Sequence, residues 1–115
     1  MKRKVEFFLK DILQSISDIE AFVGQMSKDD FLKDRKTQSA VVRQIEIIGE
    51  AIKYLPVELK ATYLHVPWKE IAGMRDVIIH EYFGVDTDLV WNAIKNDVPF
   101  LEREIKEMIQ STEDE

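Results

Sequence analysis

The chain contains no cysteine, which excludes disulfides and thiolate metal sites and fits a reducing, cytoplasmic setting. It has only two histidines. One of them, His65, has no partner at ligand spacing, so no metal and no cofactor is expected. No apolar run approaches the roughly 18 residues that a membrane helix needs. The basic start Met1-Lys2-Arg3-Lys4 is followed by apolar residues interrupted by Glu6, Lys10 and Asp11, which is no secretory signal block. Basic charge is also in deficit: 16 Lys and Arg face 22 Asp and Glu, for a net of −6. A protein held on nucleic acid mainly by phosphate contacts has the opposite balance, so indiscriminate nucleic-acid binding is not expected, and no DNA partner is expected. A locally positive cleft remains compatible with this charge.

Apolar residues at helical spacing are plentiful. At 115 residues and 45% hydrophobic, the chain can bury the core of one domain, assigned to residues 1–110 with an acidic, frayed tail at 111–115. Val5, Leu9, Ile12, Ile16, Ile19 and Val23 recur in steps of four and three, one stripe on a helix of roughly 20 residues. Val41, Ile45, Ile48, Ile52 and Leu55 form a second stripe, starting near Thr37. Val90, Ile94, Leu101, Ile105 and Met108 form a third behind the cap candidates Asp86 and Thr87. Pro99 interrupts it and predicts a kink near 95–99, because proline removes a helical N–H and crowds the preceding turn. A short helix is expected after Pro56 and another from about Pro67 to Tyr82. The pattern is all-α, an up-and-down antiparallel helical bundle.

The segment from Met74 to Phe83 sets Arg75, Asp76, His80, Glu81 and Tyr82 in an otherwise apolar run. A charge facing a helical core costs several kcal/mol unless paired, so these groups either satisfy one another or line a cleft. On a continuous helix, Arg75 and Tyr82 share one face and Asp76 and His80 an adjacent one. Arg75 and His80 diverge by roughly 140° and would bracket a groove, unless the helix distorts toward Gly84. Ile71, Met74 and Ile78 make one apolar stripe while Val77 and Ile79 point elsewhere, an excess of apolar surface that a two-fold dimer would bury. Gly49 and Gly73, costly within helices, suggest close helix approach. Trp68 and Trp91 are expected to pack under the bundle ends, and Phe7, Phe8 and Phe22 in the core or an interface.

Arg75, four residues, His80, one residue and Tyr82 resembles the signature of the HEPN superfamily, and specifically of the HepT toxins of HEPN/minimal-nucleotidyltransferase modules. Ile47-Ile48-Gly49-Glu50-Ala51 is similar to the family's second-helix motif. Trp68, Ile71-Ala72-Gly73-Met74-Arg75-Asp76, Gly84-Val85-Asp86 and Val90-Trp91 keep the order of the rest, so the likeness covers about residues 5 to 105. Asp76 stands where many relatives carry asparagine, which alters the donors available at the site.

The resemblance implies a homodimeric, cytoplasmic endoribonuclease acting on an RNA substrate and silenced by a nucleotidyltransferase antitoxin that nucleotidylates Tyr82. The residue types suit metal-independent cleavage. A neutral imidazole at His80 can take a ribose 2′-hydroxyl proton, and the Arg75 guanidinium can clamp the scissile phosphate. Asp76 would fix the imidazole tautomer if it reaches one turn to His80. Glu50 is a further candidate, projecting toward the motif helix, and Glu46 or Glu50 is a candidate ion-pair partner for Arg75. A nucleotide on Tyr82 would place its phosphate where the RNA phosphate must sit. The alternative is a non-catalytic helical subunit that is only docked to, and modified by, its nucleotidyltransferase.

Overall fold

The computed structural model describes residues 2–80 and 84–113, with the backbone alone described at Lys2, His80 and Glu113. The three apolar stripes each become the buried side of a helix. Along α1 (Lys2–Val23) Leu9, Ile12, Ile16 and Ile19 are fully buried. Val41, Ile45, Ile48 and Ile52 do the same for α3 (Arg35–Lys53), and Leu101, Ile105 and Met108 for α8 (Val98–Glu113). Helix α1 packs against both α3 and α8. Each of these aliphatic side chains contributes about 1.5–3 kcal/mol of burial, which is the main force holding the bundle.

Between α1 and α3 lies α2 (Lys28–Leu32), a short helix that the periodicity does not signal. Its start is a capping box: the Ser27 hydroxyl accepts from the Asp30 N–H, and the Asp30 carboxylate accepts from the Ser27 N–H. It drives Phe31 into the core, and the buried Gln38 amide donates to the Phe31 carbonyl at 2.8 Å. Asp34 caps α3 by accepting from the Thr37 backbone N–H and hydroxyl, which holds its carboxyl below the usual aspartate range. The helix after Pro56 is α4 (Val57–Thr62).

The expected helix from Pro67 to Tyr82 is not continuous. It forms α5 (Trp68–Ala72) and α6 (Met74–Ile78) on either side of Gly73, and the chain then extends into β1 (Ile79–His80). This strand pairs with β2 (Gly84–Val85), with Ile79 opposite Val85 and His80 opposite Gly84. Two local features explain the path. Val77, Ile78 and Ile79 are consecutive β-branched residues, which favour extended backbone. Gly84 takes φ +78°, a left-handed conformation that a side chain disfavours. The face-sharing expected for Asp76 with His80 required helix through 80 and is corrected here, while the one expected for Arg75 with Tyr82 falls outside the described residues.

Asp86 caps α7 (Thr87–Asn92) as anticipated, accepting from the Leu89 N–H at 3.2 Å. The kink expected before Pro99 takes the form of a π-helical turn over 93–97, where the Val98 N–H bonds back five residues to the Ala93 carbonyl. Widening the turn removes the crowding that a proline ring imposes on the carbonyl four residues earlier. Helix α8 then runs to Glu113, so the first part of the expected tail continues the helix, and Asp114 and Glu115 lie outside the described residues. Trp68 donates from Nε1 to the carbonyls of Lys60 and Tyr63, and Trp91 packs on Phe31. Phe7 and Phe22 are exposed and belong to no core of this chain. No helix among the described residues is long and apolar enough to cross a membrane.

Candidate functional site: a charged groove between α3 and α6

Close backbone contact creates the site. A Cβ added to Gly49 would lie 2.9 Å from the Ala72 carbonyl oxygen, so α3 touches the end of α5 at a point where only glycine fits. Gly73 behaves differently: its nearest neighbours are carbonyls of its own preceding turn, so it marks the break between α5 and α6 rather than a helix crossing. From the Gly49 contact, Glu46 lies one turn back along α3 and Arg75 three residues beyond Ala72. The Arg75 Nε donates to Glu46 Oε2 at 2.9 Å.

Arg75 also donates from Nη1 to Asp76 Oδ1 at 3.4 Å. The Glu46 carboxylate, and after it Asp76, raise the guanidinium pKa above its ordinary value, so it stays charged at any working pH. Of the two glutamates considered as its partner, Glu46 takes the role, while Glu50 pairs with Lys53 at 3.4 Å. Together with Arg43 and Ala72 these groups line an open groove of about 360 Å³. Among the described residues three acids and three bases share it, so their charges balance although the whole chain is acidic.

The structure therefore brings Arg75, Asp76 and Glu50 into one groove. The backbone of His80 follows directly in β1, while its side chain and the whole of Tyr82 lie outside the described residues. Asp76 is 79% exposed and its carboxylate meets Arg75. Arg43 and Lys53 were not singled out from the sequence. Their signal is a polar stripe, since Arg43, Glu46, Glu50 and Lys53 recur in steps of three and four opposite the buried face of α3. Among the described residues no cluster of three or more His, Asp or Glu is placed to hold a metal ion. His65 instead meets Glu104 and ties its loop to α8.

A family profile described as "Ribonuclease HepT-like" matches residues 12–108. This chain belongs to the HepT-like family of the HEPN superfamily. It is 44% identical over 108 residues to "Probable ribonuclease HepT" of Thermococcus cleftensis, spanning 94% of this chain and 98% of that one. A Methanocaldococcus jannaschii protein named "Putative RNase" is 46% identical over 114 residues, 99% of this chain and 94% of its own. A second protein of that organism, named "Gamma-glutamylcyclotransferase and putative RNase", is 47% identical over 110 residues. That match takes in 96% of this HepT-like chain but only 50% of the longer protein. No solved structure matches. The matched span contains the groove, the Gly49 contact and the Arg75 to Tyr82 segment.

Proposed function

We propose that this chain is a metal-independent endoribonuclease, the toxin of a two-gene module, cutting RNA at a groove completed by a second copy of the chain. The observation that carries the reading is the Arg75 guanidinium: permanently charged, 48% exposed and held at the wall of an open groove in a HepT-like chain. Arg75 contacts the scissile phosphate and offsets the charge that develops on it. His80 accepts the proton of the 2′-hydroxyl as the 2′-oxygen bonds to phosphorus. The bond from phosphorus to the 5′-oxygen breaks, and that oxygen takes a proton from an acid, which leaves a cyclic phosphate. Before RNA binds, Asp76 is a second carboxylate paired with Arg75. Nucleotidylation of Tyr82 by a minimal nucleotidyltransferase silences the toxin by setting a phosphate beside the clamp.

The test is cleavage of RNA by the purified protein in excess chelator. Cleavage that survives chelator and disappears in His80→Ala supports the mechanism; a requirement for a divalent ion sinks it. After co-expression with the partner, wild type should gain the mass of added nucleotide and Tyr82→Phe should gain none. One observation favours a second reading, a non-catalytic subunit of the nucleotidyltransferase: two carboxylates already neutralise Arg75. Modification of Tyr82 without any RNA cleavage would establish that reading instead.

A further inference from the structure

We infer that Glu46 is the positioning residue of the Arg75 clamp, and that Asp76 is the exchangeable carboxylate that an RNA phosphate replaces. This rests on the ribonuclease reading and assigns the residues that prepare its phosphate subsite. Among the described residues three carboxylates line the groove, and they are not equivalent. Glu46 is the least exposed of them, at 31%, and takes Arg75 Nε at 2.9 Å. Asp76 is the most exposed and takes Nη1 at 3.4 Å. Glu50 is occupied by Lys53 on its own helix.

The guanidinium geometry gives this ranking its meaning. A planar guanidinium offers paired N–H donors along the side that includes Nε and along the end formed by its two terminal nitrogens. A carboxylate on Nε fixes the plane of the group without occupying its end. The end carries the contact to Asp76, and a long, solvent-exposed ion pair contributes little. A phosphate arriving at the end therefore displaces Asp76 readily, while Glu46 keeps the guanidinium aimed. Backbone geometry sustains the anchor. The Gly49 contact with Ala72 holds α3 against the end of α5, two residues before α6 begins, and Glu46 reaches Nε from there.

Steady-state cleavage of a short RNA and the NMR signal of the Arg75 Nε–H test the assignment. Loss of Glu46 removes a charge-assisted hydrogen bond that aims the clamp in the transition state. Glu46→Ala should therefore lower kcat by roughly tenfold to a hundredfold, with a smaller change in KM. Glu46→Gln keeps an acceptor for Nε and should recover most of that loss, which a merely charge-balancing role would not allow. Asp76→Asn removes a competitor for phosphate and should lower KM severalfold. In wild type bound to a 2′-deoxy oligonucleotide that cannot be cut, the Nε–H signal should persist as in the free protein. The same signal should be lost in Glu46→Ala, a readout that needs no turnover.

Faster cleavage by Glu46→Ala would mean that Glu46 masks Arg75, and would overturn the assignment. So would displacement of the Nε–H signal when the oligonucleotide binds. A wild-type protein that neither binds nor cuts RNA overturns the ribonuclease reading together with this one. A wild type that cuts RNA, beside a Glu46→Ala variant of unchanged kcat, overturns the positioning role alone.

Discussion

Replacing Gly49 with alanine should destabilise the protein even though the substitution lies inside a helix. Alanine is favoured over glycine there by about 1 kcal/mol. Against that gain stands the new Cβ, 2.9 Å from the Ala72 carbonyl oxygen and 3.7 Å from its carbon. Both are backbone atoms, so no rotamer change relieves the clash and α3 must move away from α5. Overpacking of this kind costs about 1–3 kcal/mol, so the net loss is about 0–2 kcal/mol, or up to roughly 8 °C in Tm for a domain of this size. Activity should suffer more than stability, because the same displacement pulls Glu46 from Arg75. Urea unfolding followed by circular dichroism measures the first effect and RNA cleavage the second. A variant about 1 kcal/mol more stable than wild type would show helix propensity acting alone, and would refute the close contact.

Glu20 gives a pH-dependent case. Its carboxyl is pushed above the ordinary glutamate range first by burial and then by neighbouring Glu102. A carboxyl raised in the folded state opposes folding once ionised, so Glu20→Gln should stabilise the protein at neutral pH. The gain should vanish as pH falls to about 4, where the glutamate is protonated folded or unfolded; an equal shift of the urea midpoint at both pH values would refute this. Val77 tests the dimer. It is 60% exposed, while Ile79 packs against the core, so Val77 is the residue of that pair free to meet a second copy. Val77→Asp should leave the fold intact and turn a dimer into a monomer in sedimentation, whereas a wild type that is monomeric at micromolar concentration would end the proposal.

Local chemistry accounts for much of this molecule. The stripes along α1, α3 and α8 are legible because burial selects one face of a helix, and a face repeats in steps of three and four. Asp86 is legible as a cap, and Pro99 as a disturbance, because both act on hydrogen bonds within a turn or two of themselves. Such signals describe which side of an element is apolar, not which elements meet. Arg75 chooses Glu46 over Glu50 across 29 positions of sequence, and that choice depends on where α6 lands on α3. The landing point is set by Gly49 against Ala72, a contact that residue types alone leave open among several crossings. The break of the motif helix lies between these extremes. The run Val77-Ile78-Ile79 disfavours helix locally, yet pairing of His80 with Gly84 is what holds the chain extended, and only a partner strand supplies those hydrogen bonds.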